Sequence, residues 1–395
     1  MIRTLSTRGF SVLRDVDIPF GSGLNIVVGT NGSGKSHLLK LAYSAARWSR
    51  EMSLRDNGSR PDRITLQREL ARKLTAVFGC DHVGRLASRV DAPASAEVEI
   101  CFSDPEGASF RCAFTSRSRR EVEFSRPPTA FVTCDSVFIP SKEVLTLAPG
   151  FASLYRDRDL QLDETYFDLC VAMERPLTRG ALLSSIKPVL LQVEQALGGR
   201  VSQEHGRFWV TRRGEGKFEA GLLAEGYRKL ATVAQLLANG AVGPGSTLFW
   251  DEPEANLNPE LMRRLAEILV AIASGGIQVF VATHSLYLLR EFSLLLSADS
   301  APRTEASYVS LHPLGPGQGV RVSVGHSAEE IEPIVALDAE LEQSLRYLRQ
   351  QPAPLSKVRA SSVAGSTTMR RFSRLSPLAD GGTPENRTAT PERSI

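Results

Sequence analysis

No stretch of this chain approaches the roughly 20 consecutive apolar residues of a membrane-spanning helix. Met1 to Phe20 alternates charged and apolar residues and lacks the uninterrupted apolar core of a secretory signal. A membrane role would therefore need a partner subunit. Cysteine is scarce and unpatterned: Cys80, Cys101, Cys112, Cys134 and Cys170 are widely spaced, odd in number and never in a C-x-x-C pair. That excludes a disulfide framework or a zinc site and predicts reduced, mostly buried thiols in a cytoplasm. Charge of one sign is not in excess either. A formal net charge of +3 does not indicate nucleic acid unless basic residues gather on one surface. No internal repeat is present.

What the sequence does have is length and apolar content: 395 residues, 42% of them hydrophobic, enough for one substantial core or two modest ones. Ile2 to Phe20 reads as two short strands with a turn near Arg8-Gly9, and Leu24 to Val28 as a buried strand. A helix follows from Lys35 toward Arg50, with Leu38, Leu39, Leu41 and Ala42 at helical spacing. The polar, Arg-rich residues 53–93 read as a helical insertion containing the amphipathic stretch Ile64 to Phe78. Ala96 to Phe102 and Ser109 to Phe114 alternate around a turn at Asp104 to Gly107, which predicts a small antiparallel sheet. A strand is expected at Ala130 to Phe138, and Leu160 to Leu197 is mostly helical with interruptions at Pro176 and Pro188. Phe208 to Phe218 reads as a hairpin turning at Gly214 to Gly216. Gly226 to Asn239 and Pro259 to Ser274 read as helices, and Thr247 to Trp250 and Ile277 to Ala282 as buried strands. This order predicts an α/β core with parallel strands. From Gln351 to Ile395 the chain has too few large apolar residues to offset its ordering entropy, so disorder is expected.

Three motifs carry chemistry. Gly29-Thr30-Asn31-Gly32-Ser33-Gly34-Lys35-Ser36 satisfies G-x-x-x-x-G-K-[ST] and lies between a buried strand and a helix start. Its glycines let backbone N–H groups surround a phosphate, and the helix amino terminus adds positive potential. Lys35 is placed to reach the β- and γ-phosphates of ATP, and Ser36 to ligate Mg²⁺. The buried strand ending at Trp250 runs into Asp251-Glu252-Pro253-Glu254 at the ligand-bearing edge of such a sheet. Asp251 can hold the Mg²⁺ shell there, and Glu252 can orient or deprotonate the attacking water. The next strand ends in Thr283-His284-Ser285, which gives His284 a γ-phosphate-sensing place at the same edge.

In this order and spacing the elements resemble the ABC-type ATPase superfamily over most of Met1 to about Arg290. The resemblance implies an α/β P-loop NTPase: a mixed sheet flanked by helices, with a small antiparallel β subdomain and a helical insertion. It makes Gly29 to Ser36, with His37 following, the Walker A loop, Leu248 to Asp251 the Walker B strand, Glu252 the catalytic base and His284 the switch histidine. Ala255-Asn256-Leu257-Asn258 takes the D-loop place, ending in Asn where the family commonly has Asp. The segment Leu223 to Leu230 matches the signature loop, with Glu225 and Gly226 at the point that caps a partner's γ-phosphate, although its serine and second glycine are absent. Pro140 to Glu143 falls where a Q-loop belongs but holds no glutamine; Ser141, Lys142 or Glu143 could equally be surface residues.

E-G-Y-R-K-L, D-E-P-E-A-N-L-N-P and A-T-H-S look like the branch of OLD-type and RecF-like prokaryotic AAA ATPases. No D-x-D follows His284, so the Toprim nuclease of OLD proteins is missing. The resemblance implies a homodimer with composite ATP sites that serves a separately encoded effector, a nuclease or toxin, in a DNA-associated or anti-phage system. The alternatives are an ATP-gated DNA or protein clamp of RecF/SMC type and, third, a transporter subunit. No N-K-x-D motif points to guanine.

The organisation expected is 1–52 with the phosphate loop, 53–93 the helical insertion, 94–145 the antiparallel part, 146–202 a helical subdomain, 203–348 the remainder of the head and 349–395 the tail. Arg117, Arg119 and Arg120, with Arg212 and Arg213, could face DNA, but solvated hairpin residues need no such role, and that simpler reading is taken. Arg370, Arg371 and Arg374 in the tail could add nonspecific phosphate contacts.

Overall fold

In the computed structural model, which describes residues 1–56, 60–88, 94–158, 160, 162–204, 206–297, 304–331, 342, 343, 345–347 and 349, the chain begins with β1 (Ile2–Phe10), β2 (Leu13–Pro19) and β3 (Leu24–Gly29). Helices α1 (Lys35–Arg55) and α2 (Arg63–Phe78) follow, then β4 (Ser95–Phe102), β5 (Phe110–Thr115), β6 (Glu123–Arg126) and β7 (Ser136–Ile139). Next come α3 (Ala148–Asp157), α4 (Glu164–Met173), α5 (Ala181–Leu197), β8 (Gly199–Glu204), β9 (Arg207–Arg212), β10 (Gly216–Glu219) and α6 (Glu225–Ala238). The last are β11 (Thr247–Asp251), α7 (Pro259–Ser274), β12 (Gln278–Thr283), α8 (Leu286–Ser297), β13 (Ala306–Gly315) and β14 (Gly319–Gly325). Contacts gather Met1–Arg346 into one unit and Tyr347–Ile395 into another, and all these elements belong to the first. The disorder expected for Gln351 to Ile395 lies outside the described residues. Among the described residues, no helix is long and apolar enough to cross a membrane.

A six-stranded sheet, in the order β14-β13-β3-β12-β11-β7, positions the site. All its pairings are parallel except β13 with β14. Its central strands are buried on both faces, so alternate side chains enter two cores. Leu248 and Trp250 of β11, with Ile26 of β3 and Val281 of β12, pack against α4 to α8. Phe249 and Phe280 point the other way, toward α1 and a five-stranded antiparallel sheet, β2-β1-β4-β5-β6. On that face Phe249 stacks on Phe280 at 4.8 Å between ring centroids, and Trp48 of α1 meets the Phe110 ring edge-on at 5.2 Å. A third sheet, β10-β9-β8, joins the helices of the first core.

The fold is the α/β arrangement expected, with local corrections. The first turn falls at Ser11-Val12, not Arg8-Gly9; Gly9 lies inside β1, where only glycine fits because a Cβ would sit 2.0 Å from the Ser95 carbonyl oxygen of β4. The strand expected from Ala130 is only β7. Ahead of it the chain bonds to side chains of α1, Val132 N–H donating to Ser49 Oγ at 2.8 Å and Arg50 reaching Asp135 at 3.3 Å. α5 continues through Pro188, which removes an N–H and would usually break a helix; packing on α6 and α7 carries it. Two cysteines, Cys112 and Cys170, are buried, while Cys134 is exposed, so "mostly buried" is wrong, although all five are free thiols.

Candidate functional site

Parallel register brings the predicted site residues to one sheet edge. β12 pairs with β11 so that Ala282 sits opposite Asp251, and with β3 so that Thr283 sits opposite Val28. The carboxyl ends of β11, β12 and β3 are therefore level, and the acidic segment, Thr283-His284 and the glycine loop leave the sheet together.

The loop is built for a close backbone approach. Gly34 has φ 94°, and a Cβ on it would lie 2.6 Å from Val12 Cγ2 of the first turn. A Cβ on Gly29 would lie 2.5 Å from Ser33 Oγ and 2.6 Å from the Leu311 carbonyl oxygen. Thr30 is half-buried, and Asn31 and Gly32 are exposed at the tip. Lys35 is buried, and its Nζ donates to the carbonyls of Gly29 at 2.9 Å and Thr30 at 3.1 Å. Burial lowers its pKa, against the pull of Glu252, Asp251 and Glu254. Asn31, Gly32, Gly34, Lys35, Ser36, His37 and Glu252 share a cleft of ≈ 480 Å³ with Val12. His37 contributes to the wall, but its Nδ1 is engaged by Ser11 Oγ at 2.7 Å and its ring meets Phe78 edge-on at 5.3 Å.

Asp251 closes the strand beside the loop. Burial raises its pKa, while the hydroxyl of Ser36 bonds to it and acts in the opposite direction. Its Oδ1 is buried and meets no hydrogen-bond partner. A buried carboxylate oxygen without a donor, on a carboxylate joined to a serine hydroxyl, is the donor set that a hard divalent cation takes, so Ser36 and Asp251 fit Mg²⁺.

Glu252 holds φ 48°, rare for a residue with a side chain, and its N–H donates to the Ala282 carbonyl at 2.9 Å. This backbone turn aims its carboxylate at His284, with Oε1 3.3 Å from Nδ1. The structure thus brings Lys35, Ser36, Asp251, Glu252 and His284 around one edge. Glu225 and Gly226 do not line the cleft. Gly226 is buried instead against its own chain, where a Cβ would lie 2.7 Å from Leu257 Cδ2 and 3.0 Å from Leu261 Cδ1. Both oxygens of Glu225 accept from Asn256 Nδ2, at 3.1 and 3.0 Å.

Several participants were not foreseen. Glu254, 7% exposed, accepts from Thr283 Oγ1 at 2.6 Å and from the His284 N–H at 3.2 Å, and so fixes the histidine-bearing turn. Lys229, 3% exposed on α6, donates to the Ala255 carbonyl at 2.7 Å and clamps the segment after the acidic pair. Glu143, one of three residues that could be surface, is half-buried with its side chain turned in, and pairs with Arg228 at 2.9 Å. The sequence marks Glu254 only by its place in D-E-P-E; for Lys229 and Glu143 it offers no local signal. Arg212 does not join Arg117, Arg119 and Arg120 on one surface: it lies on β9 and stacks over Tyr227 at 4.9 Å.

A family profile described as "AAA domain, putative AbiEii toxin, Type IV TA system" matches residues 24–290. No curated protein matches the chain. Among solved structures, an SMC head bound to the C-winged helix domain of ScpA is 15% identical, with 83% of this chain and 98% of that one covered and a TM-score of 0.48. The SMC head domain from Thermotoga maritima is 14% identical, with 82% and 98% covered and a TM-score of 0.43. The Smc head domain with an extended coiled coil bound to the C-terminal domain of ScpA, derived from Pyrococcus furiosus, is 12% identical, with 87% and 99% covered and a TM-score of 0.47.

Proposed function

The chain belongs to that AAA-domain family of P-loop ATPases, and from this premise we propose that it is a Mg²⁺-dependent ATP hydrolase of ABC type. It works as two facing heads and switches a separately encoded effector, a nuclease or toxin, in a DNA-associated or anti-phage system. The observation that carries the reading is the Glu252–His284 pair at 3.3 Å beside the loop of Lys35.

In this reading the N–H groups of the loop and the start of α1 hold the phosphates. Lys35 exchanges its two carbonyl partners for phosphate oxygens, a replacement of like by stronger acceptors. Ser36 and Asp251 hold Mg²⁺, which when bound neutralises charge on the phosphates. Glu252 orients the attacking water and takes its proton, while His284, steadied by Glu254, faces the γ-phosphate.

A second reading, an ATP-gated clamp with slow turnover, draws on Glu225. Its negative charge stands at the start of the loop that would meet the partner's γ-phosphate, where like charge works against the hydrolysis-competent contact and so favours slow turnover.

Glu252→Gln tests both readings. ATP binding should persist and turnover should fall by about 10²-fold or more; unchanged turnover removes Glu252 from the mechanism. The mass in solution of the same variant should double with ATP. A monomer at saturating nucleotide would rule out paired heads.

A further inference from the structure

Arg117, Arg119 and Arg120 are exposed in the turn between β5 and β6, and no side-chain hydrogen bond or ion pair engages their guanidinium groups among the described residues. Their surroundings make this unusual. Nearby arginines are paired: Arg111 and Arg126 with Glu99, Arg68 with Glu121 at 2.7 Å, and Arg85 with Asp81 at 3.8 Å. Glu121 and Asp81 are thus engaged elsewhere, and Glu123 is the one cleft-lining carboxylate here without a cation partner among the described residues.

The three side chains do not hold the turn together. The Gly84 N–H donates to the Ser118 carbonyl at 3.0 Å, the Val83 N–H to the Arg119 carbonyl at 3.4 Å, and the Thr115 N–H to Ser118 Oγ at 3.0 Å. A Cβ on Gly84 would lie 2.5 Å from the Ser116 carbonyl oxygen, so the 3₁₀ turn Val83–Leu86 presses directly on this backbone. Three unpartnered cations are therefore presented on a braced frame.

Arg119, Arg120 and Glu121 form the common wall of two clefts of ≈ 780 and ≈ 610 Å³; Arg63 and Glu123 line the first, and Arg68, Arg72, Glu69 and Asp81 the second, where Glu121 and Glu69 are paired with Arg68 and Arg72. Neither shares a residue with the cleft at the phosphate loop. The large apolar lining residues are withdrawn, Phe124 being 2% and Val122 1% exposed, and of the two alanines only Ala113 is half-buried. A protein partner would need an apolar anchor point, and a single strand would need an exposed ring for base stacking. Cations on a rigid turn without either suit the regularly spaced phosphates of a backbone, which are met by charge.

We propose that this turn binds the phosphodiester backbone of a nucleic-acid duplex, independently of base sequence. The surface goes beyond the ATPase reading and does not depend on it, because the contact requires neither nucleotide nor hydrolysis.

The experiment is fluorescence anisotropy of a labelled DNA duplex of about 30 base pairs with the full chain, without nucleotide, across a salt series. The wild type should bind with a negative slope of log K against log salt. The triple variant Arg117→Gln, Arg119→Gln, Arg120→Gln should bind about tenfold or more weakly, its slope shallower by up to about 2.7 for three lost phosphate contacts. ATP turnover of that variant should be unchanged, which reports an intact fold. The corresponding triple Arg→Lys variant should keep affinity within a few fold, because phosphate recognition survives a change of cation. Unchanged affinity and slope in the Gln variant, equal loss in the Lys variant, or a single strand bound as tightly as the duplex overturns the proposal. Lys35→Ala separates the two readings: it should lose ATP binding and keep the duplex.

Discussion

Glu143 and Arg228 form an ion pair at 2.9 Å that joins the segment after the edge strand β7 to α6, the helix that opens at Glu225. The Glu143 side chain is 6% exposed. It also accepts from the Thr146 N–H at 3.1 Å and the Thr146 hydroxyl at 3.0 Å. Arg228 in turn donates to the Leu223 carbonyl at 2.9 Å, in the loop ahead of Gly226. A charge at the sheet edge thereby holds the position of a loop on the other side of the site, where a neutral glutamine would bind less strongly.

Glu143→Ala leaves a guanidinium without its carboxylate in a mostly buried place and should cost about 3 kcal/mol of stability. If the pair positions the Gly226 loop, Glu143→Ala should also lower kcat with little change in KM, and the double variant Glu143→Arg, Arg228→Glu should recover part of kcat. Thermal melts and ATPase kinetics on wild type and these two variants decide it: equal loss in the single and exchanged variants leaves the pair a merely structural contact.

The site's legibility followed the range of its causes. Asp251, Glu252 and His284 could be placed because each follows a buried apolar strand, and a strand end is a local signal. The glycine loop was legible because Gly34 needs a positive φ and close packing that only that residue tolerates. Glu143, Glu254 and Lys229 were not, since charged residues read as surface until their partners are known. β13 and β14 were missed for a related reason: the place of β13 beside β3, far from it in sequence, and of β14 outside β13 is set by tertiary pairing.

Asp251 should stabilise the nucleotide-free protein less than asparagine does. Burial raises its pKa above the ordinary 3.8, so the folded chain binds a proton that the unfolded chain has already lost. Its contribution to stability therefore falls as pH rises from about 3.8 through the raised value. Asp251→Asn should melt higher than wild type at neutral pH, with the gap closing under acid, and should lose the stabilisation that Mg²⁺ and ATP confer. A variant that melts lower at neutral pH would contradict a buried, undercompensated carboxylate.

Gly226 should be intolerant of any side chain for a packing reason. The added Cβ of Gly226→Ala would press into Leu257 and Leu261 and should cost about 1–3 kcal/mol. Leu257→Ala removes the closest atom, so the double variant should regain stability over Gly226→Ala. Denaturant titration of the three variants measures this, and strict additivity of the two losses would mean that the contact is not the cause.

Lys73 ties α2 to α1, the helix of the phosphate loop, and its loss should show a pH signature. It is fully buried on α2, with its Nζ 2.7 Å from Glu51 of α1, 3.2 Å from Glu164 and 3.5 Å from Asp168 of α4. Arg47 and Arg72 face the same carboxylates, and Tyr43 donates to Asp168 at 2.6 Å. Burial raises the pKa of Glu164, and Lys73 is the largest influence holding it down. Lys73→Met keeps the aliphatic volume and removes that cation, so the Glu164 pKa must climb further. The folded variant then binds more protons than its unfolded chain over a wider window, and its stability falls as pH rises through that window. At neutral pH the loss should be about 3–5 kcal/mol, the cost of breaking a buried ionic cluster from one side. Lowering the pH from about 8 to about 5 should narrow the gap to wild type. Adding Glu164→Gln to Lys73→Met should recover much of the neutral-pH loss. If the gap instead stays constant with pH, Lys73 acts through packing alone, and its ammonium does not join α2 to α1.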